Sequence, residues 1–304
     1  MNLLKGISFK LISTLLFALM SVLVRYYGEY MPVGQIVFFR SLFAIVPVLV
    51  IYAIRNELRA AVYTRRPLGQ LGRGSISVCG MFSNFGALAR LPLADATAIS
   101  FSSPLMTVAL AALILKERVG IYRWSAVAVG FIGVLIMLLP QLDVSHVGPV
   151  VALGAALATL SAICTAGTVI QTRRLVQTET TPAIVFYFSL ICAIVGAVTL
   201  PFAWYDATPL EFAGLILIGL LGGLAHIVLT ESYRFAQASV VAPFDYVSMI
   251  WALLFGFWVF GEVPTAIVLV GAGIVAAAGL FVIWRERQLG LKRAREADPP
   301  GAPH

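Results

Sequence analysis

The chain has 304 residues, of which 60% are hydrophobic and only 12% charged, with a formal net charge of +7. A soluble domain carries about twice that share of charge, so water is excluded as the main solvent of this surface. A bilayer, which accepts apolar side chains on outward faces, is the solvent that fits. The three cysteines, Cys79, Cys164 and Cys192, lie inside apolar runs, with the spacing of neither a metal cage nor a disulfide framework.

Roughly 20 apolar residues in a helix cross about 30 Å of hydrocarbon, and that ruler predicts ten spans in chain order. The first, 8–28, follows Lys5 and Lys10. No small-x-small cleavage site comes after it, so it reads as a retained helix. Beyond Pro32 runs 33–54, with Arg40 inside it. The third, 72–91, follows Arg65-Arg66-Pro67 and carries Ser83 and Asn84. The fourth, 96–115, sets Thr97, Ser100, Ser102, Ser103 and Thr107 around Pro104 and ends in Lys116-Glu117-Arg118. The fifth, 122–139, stops at Pro140. The sixth, 149–170, precedes Arg173-Arg174, with Thr165, Thr168 and Gln171 near its end.

The seventh span, 183–203, brings Tyr187 and Phe188, and Trp204 and Tyr205 beyond it have the character of interfacial anchors. After Pro209 comes 211–233, with His226 and Glu231. The ninth, 239–260, contains Pro243, Asp245, Tyr246 and Trp251 and ends at Gly261-Glu262-Val263-Pro264. The tenth is 265–284, anchored by Trp284. Small-residue rows, Ala126-x-x-x-Gly130 and Gly273-x-x-x-Ala277, predict close helix contacts. From Leu291 to His304 the chain is charged and proline-rich, and is expected to be a disordered cytoplasmic tail.

Of the 21 lysines and arginines, all but Arg25, Arg40 and Arg90 fall on one side of this arrangement. The positive-inside rule therefore predicts that both termini are cytoplasmic. The basic excess is an orientation signal and gives no ground for nucleic-acid binding.

The second and seventh spans share a phrase, Ile36-Val37-Phe38-Phe39-Arg40-Ser41-Leu42 against Ile184-Val185-Phe186-Tyr187-Phe188-Ser189-Leu190. Lys116-Glu117-Arg118-Val119 likewise answers Gly261-Glu262-Val263-Pro264. These echoes predict a duplication, with boundaries at 1–143 and 144–290. Five helices per half is an odd number, so the second copy must be inverted in the membrane. Inverted repeats with a site near the midplane are a common build of secondary carriers.

Three features carry a family resemblance. They are Pro32 followed by Arg40, the phrase Ala94-Asp95-Ala96-Thr97-Ala98-Ile99-Ser100 running on to Pro104 and Leu115-Lys116-Glu117, and its echo Ala238-Ser239-Val240-Val241-Ala242-Pro243 ending in Phe260-Gly261-Glu262. With them the chain resembles the drug/metabolite transporter superfamily in its ten-helix EamA-type branch, over about residues 8–284. The resemblance implies an all-α membrane protein in which ten transmembrane helices form two inverted five-helix repeats around a central cavity, in a bacterial-type inner membrane. It also implies transport of metabolites such as amino acids. The halves differ in one respect: thirteen residues before the glutamate stands Pro104 in one and Met249 in the other, so the ninth helix is expected to bend at Pro243.

A charge as deep as Arg40 costs several kcal/mol unless it is paired or faces water. It either attracts a carboxylate or acts as a clamp paired with Glu29 or Asp95. Asp245, beside a proline that frees a backbone carbonyl, is a candidate for a substrate amine or a coupling proton, or else for pairing with Arg234. His226 and Glu231 are further coupling candidates, because histidine titrates near neutral pH. Asn84, Ser100, Ser103, Tyr187, Tyr246 and Trp251 are the expected cavity wall, and each is equally explained by packing. Pro104 and Pro243 are the expected helix breaks.

No P-loop is present, which sets aside an ATP-driven pump. A membrane enzyme would need a catalytic or metal cluster, and His146, His226 and His304 have no His-x-x-x-His spacing. The expectation is a secondary carrier without cofactor or metal, a monomer or homodimer, whose partners are a small-molecule substrate, the lipid bilayer and protons as a coupling ion. Amino acids are the favoured cargo and export the favoured direction. A vitamin, a nucleoside-like metabolite and a drug cation are the alternatives, and a channel or scramblase is the third class.

Overall fold

The computed structural model describes residues 3–114, 121–142, 144–175, 178–235, 244–245 and 247–297. The main elements among them are helices: α1 (Leu3–Gly28), α2 (Val33–Ile54), α3 (Leu58–Val62), α4 (Pro67–Leu88), α5 (Leu93–Ser100) and α6 (Ser103–Ile114). These are followed by α7 (Ile121–Leu142), α8 (Val144–Leu175), α9 (Thr181–Thr199), α10 (Pro209–Phe235), α11 (Val247–Phe260) and α12 (Ala266–Ala297). Five of them, α1, α2, α8, α9 and α10, contain stretches long and apolar enough to cross a bilayer unaided, and α7, α11 and α12 contribute shorter apolar stretches. With α5 and α6 taken as one interrupted span, and α3 as a connector, the ten expected spans are present in order.

The fourth span breaks where its sequence offers the backbone other partners. Thr97, Ser100 and Ser102 hydroxyls donate to the carbonyls of Leu93, Ala96 and Ile99 at 2.7–2.8 Å. Such back-bonding competes with regular helix bonding and favours bends. The chain turns at Phe101 and Ser102, and α6 restarts with Pro104 in its first turn, where a missing N–H costs nothing. At the other extreme α12 runs on to Ala297, into the tail expected to lack structure, because Leu291 to Ala297 contains helix formers and no proline. Pro299 and Pro300 lie outside the described residues.

Packing is organised around α1, α2, α4, α8, α9 and α10. α1 lies against α10, α2 against α9 and α10, and α4 against α8 and α9. Their shared core includes Val24, Ile36, Val37, Phe85, Leu88, Leu91, Cys192 and Leu215. A smaller cluster of Ala98, Leu105, Val134, Val268 and Val275 joins α7 and α12 to the broken span.

Two ion pairs tie α1 to the two ends of α11. Lys10 meets Asp245 at 2.6 Å. At the opposite end Arg25 Nε donates to Glu262 Oε1 at 2.8 Å, and its Nη1 to the Leu88 carbonyl at 3.0 Å. The second carboxylate oxygen, Oε2, accepts the Leu93 N–H at 2.8 Å and so caps α5. One side chain thereby joins three elements.

The small-residue rows divide. Gly130 is closed off by the Leu105 side chain, as a packing row requires, but Gly273 has nothing within 4 Å of where a Cβ would lie. The close approach of α12 to α7 is made instead at Gly133, where a Cβ would stand 2.9 Å from the Gly271 carbonyl and 3.0 Å from Ile274 and Val275. Gly133→Leu should cost about 1–3 kcal/mol by forcing these helices apart. Thermal unfolding in detergent should therefore fall by several degrees for Gly133→Leu while Gly273→Leu matches the parent. Equal melting of the two variants would remove Gly133 from the α7–α12 contact.

Candidate substrate site

Arg40 stands on the inward face of α2, among the buried residues Gly34, Gln35, Ile36, Val37, Phe39, Ser41, Ala44 and Val48. It is 3% exposed, and its Nε and Nη1 have no hydrogen-bond partner among the described residues. Neither Glu29 nor Asp95, the partners considered from sequence, appears beside it. The guanidinium lies 5.4 Å from the ring centroid of Phe188 on α9.

Space for it comes from α10. A Cβ on Gly222 would lie 3.2 Å from Arg40 Nε and 2.9 Å from the Met20 sulfur, so this position requires the absence of a side chain. One turn further on, His226 packs edge-on against Phe17 at 4.9 Å and against Phe188 at 6.2 Å.

A second arginine converges on the same ring from α4. Arg73 lies 5.6 Å from the Phe188 centroid, its Nε donating to Thr172 Oγ1 at 2.7 Å and its Nη1 to the Ile184 carbonyl at 3.2 Å. Ser77 and Thr168 meet at 3.2 Å beside it, so Thr168 joins α4 to α8. The sequence reading counted Arg73 only as an interfacial charge. Nothing in its local context marks it otherwise, because the contact with Phe188 is made across more than 100 residues.

A narrow groove, partly open to solvent, reaches His226 beside this cluster. Val48, Ile51, Tyr52, Arg55, Pro182, Val185, His226, Ile227 and Glu231 line it. Arg55 and Glu231 pair across its mouth at 3.4 Å, in partly exposed positions where such a pair adds little stability. His226 and Glu231 are thus brought together on one groove.

The remaining candidates are scattered. Asp245 does not line the groove, and its carboxylate is 52% exposed and held by Lys10; the Arg234 side chain, its expected partner, lies outside the described residues. Tyr187 donates to the Val62 carbonyl on α3 at 2.9 Å, because α3 packs against its end of α9. Ser100 is spent on its own helix carbonyl at 2.8 Å. Asn84, Ser103 and Trp251 are half-buried, and Trp251 stacks on Phe255 with centroids 6.3 Å apart. Tyr246 and Pro243 lie outside the described residues. Among the described residues no group of three or more His, Cys, Asp or Glu is gathered as metal ligands would be.

Two residues that sequence reasoning passed over fasten the frame. Glu262 was noted only as part of a repeated phrase. Glu179, on the loop between α8 and α9, accepts the backbone N–H groups of Arg65 and Arg66 at 2.8 Å and caps the approach to α4.

Apolar helices around the buried Arg40, with a polar-mouthed groove beside it, fit an integral membrane protein of the transporter class. Comparison with known proteins agrees. The chain matches the EamA-like transporter family twice, over residues 4–139 and 152–285, and belongs to that family.

It is similar to an S-adenosylmethionine uptake transporter of Rickettsia bellii, 29% identical over 95% of this chain and 96% of the relative. A pseudopaline exporter of Pseudomonas aeruginosa is 29% identical over 90% and 94%. A riboflavin transporter of Rhizobium johnstonii is 32% identical over 77% and 76%. A solved crystal structure shares the fold with a TM-score of 0.63 at 18% identity, covering 95% of this chain and 97% of that one.

Proposed function

We propose that the protein is a secondary carrier of small amphipathic metabolites, amino acids and their relatives first among them, working by alternating access in a bacterial-type inner membrane. The observation that supports this most is the Arg40 cluster, which His226 connects to the groove. A charge held 3% exposed, its Nε and Nη1 without a hydrogen-bonding partner among the described residues, is expensive to keep, and a passing solute would supply that partner. The two family matches, 4–139 and 152–285, support two repeats with boundaries at 1–143 and 144–290. The odd number of helices in each argues that the second is inverted.

In this reading both termini are cytoplasmic, the groove mouth at Arg55 and Glu231 opens to the cytoplasm, and the Arg25–Glu262 clamp closes the outer end. The carrier needs no cofactor, and its transport unit is a monomer or homodimer. If protons drive transport, His226 and Glu231 on the groove are better placed to exchange them than Asp245, which Lys10 already holds.

Export of amino acids was the expected direction and cargo. The relatives include uptake transporters and an exporter, with three different named cargoes, so export is carried here as a proposal to be tested in both orientations. Import of a vitamin is the second reading, favoured by the likeness to a riboflavin transporter at 32% identity.

Purified protein should show saturable thermal stabilisation by some amino acids. Stabilisation by riboflavin and by no amino acid would move the assignment to the vitamin reading.

A further inference from the structure

Arg40 and Arg73 come from different helices, both lie within 6 Å of the Phe188 ring centroid, and among the described residues neither is paired with a carboxylate. Two cations facing one another's neighbourhood in an apolar wall repel, and the ring face offsets only part of that cost. The ion pairs Lys10–Asp245, Arg25–Glu262 and Arg55–Glu231 each bring a carboxylate to their cation, and among the described residues this cluster has none.

We propose that Arg40 and Arg73 over Phe188 form the receptor for a carboxylate group on the transported solute, an assignment that rests on the carrier reading and deepens it. The donors fit one planar anion. Arg73 has already committed Nε and Nη1 to Thr172 and Ile184, while Arg40 keeps Nε unused and makes no hydrogen bond through the Nε–Nη2 edge among the described residues. A guanidinium edge takes the two oxygens of a carboxylate in parallel hydrogen bonds. A phosphate dianion keeps its water more tightly than a carboxylate does, and Phe17, Met20 and Phe188 offer nothing to replace that water. The same apolar surfaces suit a hydrocarbon substituent next to the carboxylate.

The carboxylate also explains why the site is left uncompensated. A permanent acidic partner would compete with the solute. Without one, the empty site is destabilised by two uncompensated charges and the occupied site by one fewer, which is how a binding group discriminates for its ligand.

The test is thermal unfolding of the purified full chain in detergent, with acetate, phenylacetate or phosphate at equal ionic strength and chloride as control. Both carboxylates should raise the midpoint saturably, by about 2 °C or more. Phenylacetate should act at lower concentration than acetate. Arg40→Gln and Arg73→Gln should each weaken the apparent affinity about tenfold or more. In chloride, Arg40→Gln should melt no lower than the parent, since it removes an unsatisfied buried charge.

Three results would overturn the assignment: stabilisation by phosphate alone, a carboxylate response that survives both substitutions, or an Arg40→Gln protein that melts well below the parent or fails to fold. The last would make Arg40 a structural clamp. Failure of the carrier reading looks different: carboxylates bind through Arg40, yet liposomes carrying the protein move none of the solutes that stabilise it.

Discussion

Replacing Glu262 with alanine should remove most of the folded protein. The carboxylate sits at a junction where its Oε1 holds the Arg25 guanidinium and its Oε2 holds the Leu93 N–H at the start of α5. Both charged side chains are only 14% exposed. Alanine leaves a nearly buried guanidinium without its anion, and breaking a buried pair by deleting one partner costs about 3–5 kcal/mol. It also uncaps α5, which adds about 1 kcal/mol.

The expected result is a sharp fall in monodisperse yield and melting temperature. The exchange Arg25→Glu with Glu262→Arg restores opposite charges but provides no acceptor for the Leu93 N–H, so recovery should be partial. A Glu262→Ala protein that melts with the parent would mean that the junction contributes nothing.

The second large effect is asymmetric. Lys10 is 2% exposed and Asp245 52%. Asp245→Asn takes the carboxylate away from an ammonium that cannot reach water, whereas Lys10→Met leaves a carboxylate that can. The first should therefore destabilise by about 1–3 kcal/mol, and the second by less, with methionine filling the apolar site. The double variant should be more stable than Asp245→Asn alone, which a double-mutant cycle in detergent measures directly. Equal losses from both single variants would contradict the burial difference. The substitution also separates two roles: Asp245 as coupling site would lose pH-driven accumulation at unchanged melting temperature, while Asp245 as ion-pair partner loses stability first.

How far the sequence carries the reader depends on the range of the interaction concerned. Spans 33–54 and 211–233 are legible almost to the residue because hydropathy is a local property, read over one helix length. The break in the fourth span is legible for the same reason, since Thr97, Ser100, Ser102 and Pro104 act on backbone a turn away. Helix α3 was missed, because Leu58–Val62 is one turn with charges beside it and has no apolar run to announce it.

Partners are a different matter. Arg25 and Glu262 are 237 residues apart, and nothing near either names the other. Lys10 looked like a flanking interfacial charge and is in fact buried against Asp245. Tyr187 looked like cavity wall, and its hydroxyl instead reaches α3, an element that was not expected. Arg40 was legible as a candidate because a deep charge is anomalous on its own. Arg73 was not, since an arginine near a helix start in a basic loop is ordinary until the tertiary fold sets it over Phe188.

The most direct measurement is solute exchange in liposomes containing the purified chain. They are loaded with an unlabelled amino acid that stabilises the protein, diluted into the labelled one, and assayed in both membrane orientations with and without an imposed pH step. The carrier account predicts transient accumulation of label driven by the outward gradient of unlabelled solute, saturable, and reduced about tenfold or more by Arg40→Gln at matched incorporation. Label that merely equilibrates, without counterflow and without saturation, would contradict alternating access and leave a passive pore.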